Sequence, residues 1–217
     1  MPKARMFQIS ISPEEISALE LASFPGEIVI VDEAEGPVME KAVRYLKGQR
    51  LLGFDTETRP TFSPEQRSTG TALLQLSSGT KAFLFRLKKC GLPRPLASVL
   101  ANPNILKIGA ATLDDVRGLQ KITKFAPKGF VDLQNIVWEY GIRDKSVKKM
   151  AAIILGVKIS KAQQLSNWEA ERLSDGQQRY AATDAWVCRE MYLRLEQAEK
   201  NPLTYEQLHP ERFQSNG

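Results

Sequence analysis

The sequence predicts an α/β fold in which helices flank a mixed sheet and a mostly helical part follows. Three observations predict this class. Residues 51–54 form an apolar run and residues 105–109 a mostly apolar one that includes Lys107, which is typical of strands buried on both faces. Residues 71–77 and 81–86 have strand composition and surround a Ser-Gly-Thr turn, which predicts a hairpin. Helical patterns separate the strands and then dominate the chain, which favours helices on both faces of the sheet.

The first fifty residues predict two helices and one strand. We expect a helix to begin after Ser12 and to end before Phe24, because serine caps helices and a proline and two acids follow it. Residues 27–31 predict a strand. Residues 36–47 predict an amphipathic helix that Gly48 closes.

The remaining elements follow from turn residues and helical periodicity. Prolines and polar residues predict a loop over residues 59–70. A helix over residues 95–101 is predicted to stop at Asn102, because a proline follows. The later predicted helices are residues 113–122, 132–140, 146–155 and 174–199.

Length and composition indicate one α/β domain. The chain has 217 residues, which is long enough to form a core without disulfide bonds or structural metal ions. Hydrophobic residues make up 42% of it and charged residues 25%, which is ordinary for a globular protein. We predict that residues 1–48 form a flank packed on the main domain. Residues 49–200 are predicted to form that domain, and residues 201–217 a polar tail.

Cysteine usage and the start of the chain bear on its location. Cys90 and Cys188 are far apart and form no CxxC pair, which favours free thiols in a reducing compartment. The first eight residues have no apolar run after their positive charges, and no stretch reaches the roughly 20 apolar residues that span a bilayer. We therefore expect a cytoplasmic protein without a membrane partner, and we expect a monomer.

The charged residues narrow the chemistry. His209 is the single histidine, so Ser-His-Asp, Cys-His and multi-histidine zinc sites are poorly supported. The net charge of +5 is uneven: residues 10–40 hold eight acidic residues and no Lys or Arg, whereas residues 116–161 hold ten Lys and Arg against three acids. A solvated basic face is one explanation, and attraction of a nucleic acid to the basic half is the other.

Two carboxylates mark the end of the strand that starts at Leu51. Asp55 and Glu57 are two residues apart, so on a strand they point to the same face. Carboxylates held that close repel each other unless protons, basic groups or cations intervene. We interpret the pair as half of a divalent metal site, although a strand that ends in two acids without a function is the alternative.

Further acidic residues could join this pair. Asp114 and Asp115 open the helix after residues 105–109, where capping or the helix dipole is an alternative explanation. Asp184 follows Tyr180 by four residues, so both lie on one helix face, and the alanines around Asp184 permit close approach. Asp132 also opens a predicted helix, and capping explains it.

These residue types suit hydrolysis of a phosphodiester. That reaction needs an activated water, a stabilised leaving alkoxide and neutralised phosphate oxygens, and two divalent ions about 3.5–4 Å apart can supply all three. Mg²⁺ and Mn²⁺ prefer oxygen ligands, which carboxylates provide. Tyr180 is the candidate to orient the water, because a phenol with a pKa of about 10 is a weak base at neutral pH.

The order of these residues resembles that of a known family. The sequence is similar to the three exonuclease motifs of the DEDDy 3′–5′ exonucleases, which include ribonuclease D and the exonuclease domain of the Werner syndrome helicase. The resemblance extends over residues 51–195. The matching segments are Phe-Asp-Thr-Glu at 54–57, Leu-Gln-Leu at 74–76, the Asp114-Asp115 turn, Gln-Leu-Ser-Asn-Trp at 164–168 and Tyr-Ala-Ala-Thr-Asp-Ala at 180–185.

The resemblance implies a fold and a site. The fold would be ribonuclease H-like, with a mixed five- to six-stranded sheet flanked by helices and a helical carboxyl-terminal part. Asp55, Glu57, Asp115 and Asp184 would be the ligands of two Mg²⁺ or Mn²⁺ ions, and Tyr180 would orient the water. Asp115 is preferred over its neighbour because it has the family's spacing from the preceding small-residue turn.

The resemblance also implies an activity. The enzyme would remove nucleoside monophosphates from the 3′ end of a nucleic acid, with little sequence preference, because phosphate contacts carry no sequence information. We expect DNA slightly more than RNA, because the chain has no room for the helical domains that follow the nuclease domain in ribonuclease D.

Five residues are weaker candidates for contacts with nucleic acid. Thr58 follows the first motif, although it could simply close the strand. Gln75 could hydrogen-bond behind the site or be an ordinary strand residue. Arg117, Lys121 and Lys124 are predicted to share one helix face, where phosphate contact and simple solvation are both open.

Two other functions remain alternatives. One is a nucleic-acid-binding module of the same fold without catalysis, which the presence of all four ligands and Tyr180 opposes. The other is a phosphatase of the haloacid dehalogenase type. That chemistry uses a second aspartate where this chain has Glu57, and it gives Tyr180 no role.

Overall fold

A six-stranded sheet and the helices on its two faces dominate the part of the chain that the computed structural model describes, residues 6–61 and 69–212. The strands in this part are β1 (Glu20–Leu21), β2 (Glu27–Val31), β3 (Leu51–Thr58), β4 (Thr71–Ser77), β5 (Lys81–Arg86), β6 (Leu106–Gly109), β7 (Phe130–Asp132) and β8 (Val157–Lys158). Its α-helices are α1 (Pro13–Ser17), α2 (Pro37–Lys47), α3 (Leu87–Cys90), α4 (Arg94–Leu100), α5 (Thr112–Ile122), α6 (Leu133–Ile136), α7 (Val147–Leu155), α8 (Asp175–Glu196) and α9 (Tyr205–Leu208). Among the described residues, no helix is both long enough and apolar enough to cross a membrane.

The main sheet is mixed and has the strand order β2-β5-β4-β3-β6-β7. Strand β3 pairs antiparallel with β4 on one side and parallel with β6 on the other. The β4–β5 hairpin is antiparallel, as its turn predicts, and β2 runs parallel to β5 at the edge. The predicted α/β class and the five- to six-stranded mixed sheet are confirmed.

Helices cover both faces of this sheet. Alternate residues of β4 point to opposite faces, so Leu74 and Leu76 pack in the core cluster that contains α2 and α4. Leu73 packs on the other face with Trp168 and with Ala181 of α8. The central strand β3 is therefore covered on both sides up to the point where it ends.

Elements with strong terminal signals have the predicted bounds. Helix α2 begins after Gly36 and ends at the C-cap Gly48. Ser174 caps α8 by accepting a hydrogen bond from the amide of Gln177, and Ser146 caps α7 in the same way through Lys149. The residues that begin these helices could thus be identified from local chemistry.

The first predicted helix is wrong in its length. It ends at Ser17 and not near Phe24, because residues 20–21 form β1 and pair parallel with β8. Lys158 Nζ donates a hydrogen bond to the carbonyl of Ser17 at 2.6 Å and so satisfies the end of α1. Since β8 is more than a hundred residues away in the chain, no local pattern predicts this strand.

The later helices also differ from the prediction. The segment 132–140 is divided into α6 and a 3-10 helix over Val137–Tyr140, and Asp132 ends β7 before it caps α6. Helix α8 ends at Glu196 instead of residue 199. Most of the loop predicted over residues 59–70 lies outside the described residues, and the division of the chain into three parts stays a prediction.

Helix α8 approaches β3 so closely that the two backbones touch. A Cβ atom built on Gly53 would lie 1.8 Å from the carbonyl oxygen of Ala185, which is less than half of an ordinary contact distance. On the helix side, Ala181, Ala182 and Ala185 are fully buried, so small residues form this contact on both elements. The approach carries Asp184 to the end of β3, where Asp55 and Glu57 lie.

We predict that Gly53→Ala destabilises the protein and removes any activity of this site. The added methyl must push α8 away from β3, and overpacking of this kind costs about 1–3 kcal/mol. Thermal unfolding measures the loss. Gly48→Ala is the matched control, because Gly48 has φ −80° and a Cβ there would meet its nearest neighbour at 3.4 Å. Equal thermal midpoints for the two variants would contradict the close contact.

Candidate active site

Three carboxylates meet where β3 ends beside α8. Asp55 and Glu57 project from the same face of β3, and Asp184 projects toward them from α8. One carboxylate oxygen of each lies within 4.8 Å of the others. All three side chains are partly buried. The structure thus brings together three of the four acidic residues that the sequence analysis assigned as ligands.

Burial and mutual repulsion make these acids hold their protons unusually strongly. Loss of hydration, followed by the charges of Asp184 and Asp115, raises the pKa of Glu57 to about 8. Loss of hydration raises the pKa of Asp184 to about 7. The pKa of Asp55 is also well above its ordinary value, because of burial first and of the neighbouring carboxylates second. Bound cations would relieve this repulsion.

Asp115 lies at the edge of this group. Its Oδ1 accepts a hydrogen bond of 2.5 Å from the hydroxyl of Thr56, the residue between the two acids of β3. Asp115 is not within the 4.8 Å group, but its charge raises the pKa values of Asp55 and Glu57, so it faces the same site. Asp114 points to solvent and pairs with Arg117 at 3.1 Å, which supports the choice of Asp115 between the two.

Tyr180 stands next to the carboxylates on α8. Asp184 lies one turn further along the same helix, and the ring of Tyr180 contacts that of Trp168 at a centroid distance of 5.9 Å. Trp168 is 1% exposed, so it belongs to the core and fixes one side of the tyrosine ring. Burial, and next the charge of Asp184, raises the pKa of Tyr180 far above its ordinary value. The phenol is therefore protonated at neutral pH.

A cavity of about 300 Å³ opens over these groups. Lys148 and Lys161 are among the residues that line it, and neither was predicted from the sequence to be a site residue. The only signal was the excess of basic residues between 116 and 161, which does not distinguish two lysines among ten. The other lining residues are Asp55, Thr56, Glu57, Ser146, Val147, Ile159, Ser160, Gln164, Tyr180 and Asp184.

Of the five weaker candidates for nucleic-acid contact, two lie beside the site and one is held in an ion pair. Thr58 and Lys121 line a groove of about 580 Å³ that also contains Thr56 and Asp115, so both lie beside the site. Arg117 is occupied by its exposed ion pair with Asp114.

Gln75 and Lys124 do not face the site cavity. Gln75 lies opposite Asp55 in the β3–β4 register, but its side chain is fully buried and is not available to a bound strand. Within the described part of the chain, neither polar atom of its amide has a hydrogen-bond partner. The placement of Lys124 on the α5 face is wrong, because α5 ends at Ile122 and Lys124 lines a separate pocket near Arg94.

The donor set fits hard divalent cations. The three clustered side chains offer only carboxylate oxygens, which Mg²⁺ and Mn²⁺ prefer, whereas zinc and copper sites favour nitrogen and sulfur. Burial first, and the charges of Asp184 and Asp115 second, raise the pKa of Glu57, and a bound cation would favour the ionised carboxylate again. Asp55, Glu57 and Asp184 would hold such an ion, and Asp115 is placed to contribute from the α5 side.

Comparisons with known proteins agree with this geometry. A family model described as 3′–5′ exonuclease matches residues 29–198. The chain is 31% identical over 181 residues to exonuclease 3′-5′ domain-containing protein 2 of Homo sapiens, covering 77% of this chain and 29% of that protein. It is 28% identical over 195 residues to the bifunctional 3′-5′ exonuclease/ATP-dependent helicase WRN of Mus musculus, covering 87% of this chain and 14% of that protein.

A solved structure shares the fold. The Trypanosoma brucei RNase D complex with RNA U12 has a TM-score of 0.69 and 21% sequence identity, covering 81% of this chain and 64% of that chain. At this identity the likeness shows the fold alone, and it confirms the ribonuclease D-like architecture that the motifs imply. The chain spans less than a third of each of the two curated relatives.

We predict that the metal-free protein loses stability as the pH rises from about 5 to about 8. In the folded chain Glu57 ionises near pH 8 and Asp184 near pH 7, whereas in the unfolded chain both ionise near pH 4. The folded state therefore binds more protons in this window, so the free energy of unfolding decreases with rising pH. Thermal unfolding in EDTA at several pH values measures the slope.

Glu57→Gln is the control for that slope. The amide does not ionise, so the variant should lose less stability between pH 5 and 8 than the wild type. Added Mg²⁺ should raise the thermal midpoint of the wild type more at pH 8 than at pH 5, because fewer protons compete with the ion. Parallel slopes in EDTA for the two proteins would contradict the raised pKa of Glu57.

Proposed function

The chain belongs to the 3′–5′ exonuclease family, and on that premise we propose that it hydrolyses phosphodiester bonds at the 3′ end of a nucleic acid and releases nucleoside monophosphates. The observation that carries this proposal is the group of Asp55, Glu57 and Asp184 within 4.8 Å, beside Tyr180 and under an open cavity. The haloacid dehalogenase alternative is wrong, because the family match covers residues 29–198.

We propose Mg²⁺ or Mn²⁺ as the cofactor, with two ions held by Asp55, Glu57, Asp115 and Asp184. When bound, these ions supply neutralisation of the phosphate charge and acidification of the attacking water. The chain contributes the ligand geometry, because β3 and α8 are rigid elements in direct backbone contact. Thr56 holds Asp115 by its hydroxyl and so sets the distance of the fourth carboxylate.

Tyr180 orients the attacking water in this proposal. Its raised pKa keeps the hydroxyl protonated at neutral pH, so it acts through hydrogen bonding and not as a general base. Asp184 lies one helical turn from the tyrosine, and Trp168 packs on the ring. The shared helix and this packing restrict the phenol to one position relative to the carboxylates.

Lys148 and Lys161 bind the phosphates of the strand. Both line the cavity that holds the carboxylates, where a polyanion would otherwise meet only negative charge. Lysine contacts to phosphate do not read the base, so we propose little sequence preference and a steep dependence on salt. The preference for DNA over RNA, the cytoplasmic location and the monomeric state stay predictions from the sequence.

A digestion assay tests the proposed activity. The protein is incubated with matched labelled DNA and RNA strands whose 3′ or 5′ end is blocked, with Mg²⁺, with Mn²⁺ or with EDTA. We expect mononucleotide release only with metal and only from a free 3′ end, and loss of activity in Asp55→Ala and Asp184→Ala. Cleavage in EDTA, cleavage of 3′-blocked strands or full activity of Asp55→Ala would contradict the proposal. Binding without cleavage would instead indicate the inactive module.

Tyr180→Phe separates the tyrosine from the ligands. The variant keeps the ring that packs on Trp168 but lacks the hydroxyl, so the thermal midpoint and its rise with Mn²⁺ should stay close to those of the wild type. Turnover should fall on the order of 10²-fold, which is the scale of one positioned catalytic group. Single-turnover kinetics measures this step, and an unchanged rate would leave Tyr180 with a packing role only.

A further inference from the structure

The turn between β6 and α5 contains an unusual backbone conformation. Ala111 has φ 56° and ψ 39°, and it is the single residue other than glycine with positive φ in the described part of the chain. Residues with a Cβ atom are disfavoured in this region, because the Cβ approaches the carbonyl oxygen. Such strain persists where the surrounding structure holds it, and it is concentrated at functional sites.

Asp132 supplies the contacts that hold this conformation. Its Oδ1 accepts a hydrogen bond from the amide of Ala111 at 3.1 Å, and its Oδ2 accepts one from the amide of Thr112 at 3.0 Å. Strands β6 and β7 are parallel, and Gly109 is paired in register with Asp132, which places the carboxylate beside the turn. Both oxygens of one acid are thus used on two consecutive amides.

The turn is also pressed against the strand that carries the first two acids. A Cβ atom built on Gly109 would lie 2.8 Å from the carbonyl oxygen of Phe54 and 2.7 Å from Cγ2 of Thr112. The turn therefore has little space to relax sideways. Its conformation decides where α5 begins, and the first turn of α5 carries Asp115.

We propose that Asp132 is a positioning residue for the reaction, because it holds the strained Ala111 turn and thereby fixes Asp115 against Thr56 and the other carboxylates. The inference rests on the proposed function of the site. Asp132 makes no hydrogen bond to the clustered acids, and its hydrogen bonds act through the backbone of the turn. Burial first, and the charges of Asp114 and Asp132 next, raise the pKa of Asp115. The same carboxylate also accepts a hydrogen bond of 2.9 Å from the amide of Gln134 and so caps α6.

The two roles of Asp132 can be separated by glycine at position 111. Glycine adopts positive φ without strain, so in Ala111→Gly the turn no longer needs the two hydrogen bonds that Asp132 accepts from it. The substitution does not restore the cap on α6. The test therefore compares four proteins: the wild type, Asp132→Ala, Ala111→Gly and the double variant. If Asp132 only caps α6, glycine at position 111 gives no rescue.

The measurements are kcat and KM on a labelled strand, the Mn²⁺ concentration for half-maximal rate, and the rise of the thermal midpoint with Mn²⁺. For Asp132→Ala we expect the required Mn²⁺ concentration to increase by about 10- to 100-fold, which is the usual effect of losing a group that orients a ligand. The value of kcat should fall more than KM changes, and the Mn²⁺-induced thermal shift should shrink. Ala111→Gly alone should resemble the wild type, and the double variant should recover most of the loss.

A double variant as impaired as Asp132→Ala, or an Asp132→Ala variant with wild-type metal response, would overturn the proposal. If Asp132→Ala does not fold, Asp132→Asn, which keeps one acceptor oxygen, enters the same four-way comparison. A wild type that cleaves no strand would overturn the proposed function instead. The thermal shifts of the four proteins with Mn²⁺ would then still decide whether Asp132 acts through the turn.

Discussion

The backbone contact between Gly53 and Ala185 is the constraint on which the site depends. Without a side chain at Gly53, α8 lies directly on β3, and the carbonyl of Ala185 occupies the space that a Cβ would fill. Asp184 is the residue before Ala185, so the contact fixes how far its carboxylate stands from those of β3. The same contact fixes the position of Tyr180, because this residue lies one helical turn from Asp184 on α8.

The buried carboxylates of the site lower the stability of the folded chain at the place where the reaction is proposed. Three acids lie within 4.8 Å of one another, and burial first and the neighbouring carboxylates second raise the pKa of Asp55; acids perturbed in this way cluster at functional sites. Unpartnered polar groups occur close by: the amide of Gln75 is buried opposite Asp55 without a hydrogen bond among the described residues. Structural cost is therefore concentrated around the end of β3 and at the facing residue of β4, while α2 is regular.

The site residues that could be predicted from the sequence are those that local sequence patterns identify. Asp55 and Glu57 were identifiable because an apolar strand ends in acids with the two-residue period, and Tyr180 and Asp184 because they share a helix face. The family resemblance added Asp115, which no spacing within this chain distinguishes from Asp114. The structure supplies that distinction, since Thr56 hydrogen-bonds the former and Arg117 pairs with the latter.

The features that could not be predicted depend on contacts between segments that are distant in the sequence. Helix α1 is short because β1 pairs with β8, and Lys148 and Lys161 reach the cavity because α7 and the residues after β8 border it. Asp132 was predicted to be a helix cap, which is correct for α6, but its contacts to Ala111 and Thr112 arise from the pairing of β6 with β7. Neither the register of that pairing nor a positive φ at an alanine can be inferred from sequence spacing.

The most direct test of the central claim is anomalous diffraction from crystals grown with Mn²⁺, for the wild type and for Asp184→Asn. We expect anomalous density between the carboxylates of Asp55, Glu57 and Asp184 in the wild type, and its loss or strong reduction in the variant. Manganese bound elsewhere, with no density at these three carboxylates in an enzyme that requires the ion for cleavage, would contradict the claim.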